Sequence, residues 1–101
     1  MVQVRIVFQA KFGKAADLLG AFKEFGSVSM PSGVPAPSRV RFLTDLSGPF
    51  DTVVQELEFE SLAAAEKSQA AMFADPQIHE FMQRASVYIA SGCKEFYTIE
   101  S

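Results

Sequence analysis

Hydrophobic side chains recur in this chain every second residue, then at helical spacing, then in two further period-two stretches, then at helical spacing again, and finally every second residue. These stretches use nearly all of its 101 residues. Such an order predicts strand, helix, strand, strand, helix, strand, with no length left for a second core, so residues 1–101 are read as a single domain.

Val2, Val4, Ile6, Phe8 and Ala10 alternate with Gln3, Arg5, Val7 and Gln9, which predicts a first strand with one apolar and one mixed face. Ala15, Leu18, Leu19, Phe22 and Phe25 then repeat at helical spacing, so a helix is expected from about Lys14 to Phe25, with Gly26 just past its end. Ser27 to Ser38 holds three prolines, one glycine and four serines, sustains neither ladder, and is expected to be a loop, a connector or a lid across a pocket. Arg39 to Leu46 and Phe50 to Phe59 both alternate and are joined by Ser47-Gly48-Pro49, a hairpin pattern.

Ser61 is placed to cap a second helix through Ala63-Ala64-Ala65, and Asp75-Pro76 should split that helix, because Pro76 suits the first position of a new helical segment. The apolar stripe Ile78, Phe81, Met82, Ala85, Tyr88 and Ile89 continues it. Ser91-Gly92 should end it before a last strand at about Cys93 to Ile99.

A βαββαβ order with right-handed crossovers gives a ferredoxin-like α+β fold. Its four-stranded antiparallel sheet has spatial order 4-1-3-2, and both helices lie on one face. The other face would then carry Arg5, Val7, Gln9, Arg39, Arg41, Leu43, Val54, Glu56 and Glu58. Glu56 and Glu58 should lie beside Arg5 on one flank and Arg39 or Arg41 on the other, as a salt-bridged surface or as a face closed against a second copy.

Composition excludes several classes. A net charge of −3 without a Lys/Arg cluster argues against nucleic-acid binding, and the mixed Arg5, Val7, Glu56 and Glu58 stand where an RNA-binding sheet needs aromatics. The start alternates like a strand rather than a leader peptide, and no apolar run approaches the roughly 20 residues of a membrane span, so a cytoplasmic protein with no membrane association is expected. The single cysteine, Cys93, cannot form an intrachain disulfide and is expected as a buried small hydrophobe.

Candidate chemistry is sparse. His79 is the only histidine and so the only side chain that ordinarily titrates near neutrality; at the start of the second helical segment it is a candidate general base or haem ligand at a pocket mouth, or an exposed helix residue. Glu56 and Glu58 project from one strand face roughly 6–7 Å apart, which suits paired acid/base work and suits a salt-bridge ladder equally well. Tyr97 shares a face with Cys93 and Glu95 and is either an oxygen-polarising contact near Arg5 or an aromatic with a wet tip. No metal site is expected, since no second His and no Cys lies at ligand spacing, and no glycine-rich phosphate loop or nucleophile motif is present; no cofactor is expected.

The run Glu56-Leu57-Glu58-Phe59-Glu60-Ser61-Leu62-Ala63-Ala64-Ala65-Glu66, followed by Phe73-Ala74-Asp75-Pro76 and Phe81, resembles the strand-to-helix signature of NIPSNAP-like proteins within the dimeric α+β barrel superfamily. Glu95-Phe96-Tyr97 is similar to their terminal strand, whereas Leu57 and Phe59 depart from the Trp that relatives often carry near the third strand. The resemblance implies a homodimer whose sheets pack face to face into a barrel, with a pocket in each protomer. It implies no single chemistry, because the superfamily includes cofactor-free monooxygenases, haem-degrading enzymes and small-molecule isomerases.

Two functions follow as expectations. One is a homodimeric barrel that binds a small, partly apolar organic molecule between sheet and helices. Arg5, Arg41, Glu58 and Tyr97 would be its polar contacts, Phe22, Phe42, Phe59, Phe81 and Met82 its walls, and His79 or Glu56 the base of a cofactor-independent oxygenation or isomerisation. The other is a non-catalytic dimeric interaction module with a filled interior. A lined void favours the first and a filled core the second.

Overall fold

The structure, a computed structural model, describes residues 1–25 and 33–101. Its elements in chain order are β1 (Val2–Ala10), α1 (Ala15–Phe25), β2 (Arg39–Thr44), β3 (Thr52–Phe59), α2 (Leu62–Ala74), α3 (Pro76–Ser86) and β4 (Ile89–Thr98). The strands form one antiparallel sheet in the order β2-β3-β1-β4, the expected spatial order read from its other edge. Gly26 and the first part of the Ser27 to Ser38 loop lie outside the described residues.

Period-two alternation decides the two faces. Val4 and Ala10 of β1 and Val53 and Phe59 of β3 are buried toward the helices, with Leu57 and Ile6 packed beside them. Phe22 of α1 sits among the rings of Phe8, Phe42 and Phe81, with centroid separations of 5.1, 5.4 and 5.5 Å, so Phe side chains fill the space between sheet and helices. Met82, expected among the walls, is 40 % exposed and lies outside this packing.

The break in the second helix follows the sequence closely. The Ser61 hydroxyl accepts from the Ala64 N–H at 3.1 Å and starts α2; the Asp75 carboxylate accepts from the Gln77 N–H at 2.8 Å and starts α3, with Pro76 in its first turn. The end of α3 departs from expectation. The helix stops at Ser86, and Tyr88 and Ile89, which continue its stripe in sequence, belong to the turn and the first residue of β4. Tyr88 accepts from the Lys11 N–H at 2.8 Å, and Ile89 pairs with Ala10 across a register shift, so pairing with β1 overrides local periodicity.

β2 and β3 are each shorter than the hairpin pattern suggests: β2 ends at Thr44, and β3 begins only at Thr52, after Asp51 takes a left-handed conformation with φ of 60°. In that position its carboxylate accepts from the Gly13 N–H at 2.9 Å and from the Ala15 N–H at 3.2 Å, so the β2–β3 turn caps α1 from 36 residues away. Gln9 anchors the same turn, its amide donating to the Phe50 and Asp51 carbonyls. No helix among the described residues is long and apolar enough to cross a membrane.

Candidate functional site

The helix-free face of the sheet gathers five of the six candidate residues. Strand pairing places Arg41 beside Glu56, Glu56 beside Arg5, and Arg5 beside Glu95, so one row of alternating charge crosses all four strands. Arg41 Nε donates to Glu56 Oε1 at 2.5 Å, Arg5 Nε lies 3.6 Å from Glu95 Oε1, and Arg39 Nε lies 3.9 Å from Glu58 Oε2. Glu56, only 6 % exposed, is the buried carboxylate of the row. Arg5 Nε is buried without a hydrogen-bond partner, while its side chain as a whole is 42 % exposed. Tyr97 pairs with Gln3 at the β4 edge and is 49 % exposed.

These groups therefore do not meet the Phe walls. Arg5, Arg41, Glu56, Glu58 and Tyr97 project from one side of the sheet, and Phe22, Phe42, Phe59 and Phe81 fill the other, because alternate residues of a strand point oppositely. The depression among Gln3, Arg39, Arg41, Glu56 and Glu58 is about 30 Å³, room for a water and not for an organic molecule.

His79 stands apart from both. It is exposed, and its Nε2 engages the Phe73 carbonyl at the end of α2. At 100° per residue it lies about 200° around α3 from Phe81, on the side turned away from the α1 contact. Cys93, expected in the core, is exposed and lies on the helix-free face opposite Val7, since β4 is an edge strand with no neighbour beyond it.

The sequence reading missed a cleft between α1 and α3. It measures about 330 Å³ and is lined by Ala21, Glu24, Phe25, Phe81, Arg84 and Tyr88. The Phe25 and Phe81 rings stack at 4.4 Å between centroids and form an apolar wall, while Glu24 and Arg84 supply both signs of charge. Its signal in the sequence was the i, i+3 pair Phe81 and Arg84 on one side of the stripe. The facing residues of α1 lie some sixty positions earlier, so only tertiary packing brings the set together. Among the described residues no group of three His, Cys, Asp or Glu side chains is placed to hold a metal ion.

No protein-family model and no curated protein matches the sequence. Solved structures do match the fold. An uncharacterised NIPSNAP domain protein from Burkholderia xenovorans superposes with a TM-score of 0.83 at 19 % identity, covering 100 % of this chain and 96 % of that one. A NIPSNAP family protein from Agrobacterium tumefaciens gives 0.78 at 19 % identity, covering 96 % and 90 %. A candidate antibiotic biosynthesis monooxygenase from Nitrosomonas europaea gives 0.72 at 12 % identity over the whole of both chains. With its sheet order, split second helix and full-length superposition, this chain has the ferredoxin-like α+β fold of the NIPSNAP-like proteins.

Proposed function

We propose that this protein is a homodimer closed through the helix-free face of its sheet, and that each protomer binds a small, partly aromatic organic molecule in the cleft between α1 and α3. The observation that carries the binding site is the cleft itself, whose volume of about 330 Å³ falls at the lower end of the range for small-molecule pockets. Stacked Phe25 and Phe81 suit a flat apolar ligand, and Arg84 suits an oxygen-bearing substituent on it. In this reading Arg5, Arg41, Glu58 and Tyr97 serve the dimer rather than the ligand.

If turnover accompanies binding, cofactor-independent oxygenation or isomerisation is the class we propose, and neither base expected from the sequence faces this cleft: His79 is turned away from the α1 contact, and Glu56 projects from the opposite face of the sheet. The shared fold of the candidate monooxygenases supports the scaffold and not the reaction.

A second reading, a non-catalytic dimeric module, is favoured by the Phe8, Phe22, Phe42 and Phe81 rings that fill the interior between sheet and helices. Native mass spectrometry of freshly purified protein separates the two. A dimer carrying a small-molecule adduct that disappears in Ala21→Trp, a substitution that plugs the cleft from α1, supports ligand binding. A clean dimer with no adduct, unresponsive to added aromatic acids, leaves the interaction module.

A further inference from the structure

The cleft between α1 and α3 has an apolar floor and a rim that carries both signs of charge. Phe81 is buried, Ala21, Phe25 and Tyr88 are half-buried, and Glu24 and Arg84 are exposed. Phe81 and Arg84, three residues apart, share one side of α3; Glu24 and Phe25, three and four residues after Ala21, share one side of α1 with it. The carboxylate therefore stands on one wall and the guanidinium on the other. They are not ion-paired with each other, and among the described residues Arg84 has no ion-pair or hydrogen-bond partner.

This division restricts what can bind. A ring with one charged substituent meets attraction from one wall and repulsion from the other, whereas a ring whose short arm carries an ammonium and a carboxylate meets its opposite on both. The helix ends reinforce the polarity. Glu24 lies in the last turn of α1, where the helix dipole is negative and favours the ammonium; Arg84, in the last turn of α3, offsets the same effect there and leaves that side to the carboxylate. The Glu24 carboxylate has several acceptor positions, so it can receive an ammonium beside any contact it already makes. A cleft of about 330 Å³ equals the liquid volume of about eleven waters, room for one fused two-ring side chain and its arm and not for a lipid chain.

We propose that the cleft binds a free aromatic α-amino acid, its ring on the apolar floor, its ammonium at Glu24 and its carboxylate at Arg84. The inference rests on the cleft reading above and adds to it the class and orientation of the ligand. Phe25 and Phe81 stack at 4.4 Å between centroids, which leaves no room between them, so the ligand ring lies against the open side of the half-buried Phe25. An aromatic residue inside a peptide carries neither charge on its own backbone and would satisfy neither wall.

Because the chain contains no Trp, indole fluorescence reports the ligand alone. Anisotropy titrations with L-tryptophan, tryptamine, indole-3-propionate and 3-methylindole compare one ring with four arms, and L-tryptophan should bind tightest. An exposed ion pair is worth up to about fivefold in binding. Arg84→Gln should therefore weaken L-tryptophan and indole-3-propionate by about fivefold and spare tryptamine. Glu24→Gln should weaken L-tryptophan and tryptamine by about the same factor and spare indole-3-propionate. Ala21→Phe, which fills the cleft without adding an indole, and Phe25→Ala, which removes the floor, should each weaken all four. Four indoles that bind alike, or charge variants that lack this crossed pattern, overturn the amino-acid assignment while leaving the cleft, provided that Ala21→Phe or Phe25→Ala still weakens binding. No binding of any indole, or binding that neither of those two variants changes, overturns the cleft reading as well.

Discussion

Replacing Asp51 with alanine removes two interactions at once, and a three-variant series separates them. The carboxylate accepts from the Gly13 and Ala15 N–H groups at the start of α1, at 2.9 and 3.2 Å, and it does so from a residue with φ of 60°. Loss of a helix cap costs about 1 kcal/mol, and a Cβ without a polar side chain in the left-handed region costs about another 1 kcal/mol. Asp51→Ala should therefore destabilise by about 2 kcal/mol. Asp51→Gly also loses the cap but relieves the backbone, at some cost in unfolded-chain entropy, and should cost about 1 kcal/mol. Asp51→Asn keeps one acceptor and tolerates the conformation, so its cost should be smallest, about 0.5 kcal/mol. Urea unfolding followed by far-UV circular dichroism reads these differences as midpoint shifts, about 1 M for alanine at an m-value near 2 kcal/mol/M. Protein concentration must be held constant, since the proposed dimer would add to apparent stability. A ranking in which alanine equals glycine, or in which asparagine is worst, refutes the assignment of the turn as the cap of α1.

Phe22→Ala removes the ring around which Phe8, Phe42 and Phe81 pack, and should cost about 3–5 kcal/mol, lowering Tm by more than about 12 °C in a thermal melt. Arg41→Ala leaves the buried Glu56 without its hydrogen bond and should destabilise by about 1–2 kcal/mol, and adding Glu56→Leu should recover most of that; additive costs in urea unfolding would show that the two residues are not coupled. Gly92→Ala brings a Cβ to 3.1 Å from the Val7 carbonyl oxygen within the β1–β4 pair and should cost about 1 kcal/mol, whereas a neutral result in the same assay would mean that the edge strand yields freely. Cys93 is exposed in the single chain and covered in the proposed dimer, so its reaction rate with a thiol reagent should rise on dilution below the dissociation constant; a rate independent of concentration removes Cys93 from the interface.

Much of the architecture was legible along the chain because it is encoded locally. The alternation of Val2 to Ala10, the Ser61 cap and the Asp75-Pro76 break each depend on residues within a few positions of one another, and the structure carries all three. The cross-strand charges Arg41, Glu56 and Arg5 were legible as well, since strand order follows from connectivity and the face follows from period two. Tertiary structure alone decided the rest. Tyr88 and Ile89 continue a helical stripe in sequence, yet pairing with β1 draws them into a turn and a strand. Asp51 reads as a turn residue, and only the approach of the hairpin to Gly13 and Ala15 makes it a helix cap. The same holds for the cleft, whose Glu24, Phe25, Phe81 and Arg84 meet because α1 and α3 pack on one face. Local pattern specifies which side of an element is apolar; which distant element covers that side, and what the uncovered side is left to bind, depends on contacts between residues that the sequence keeps far apart.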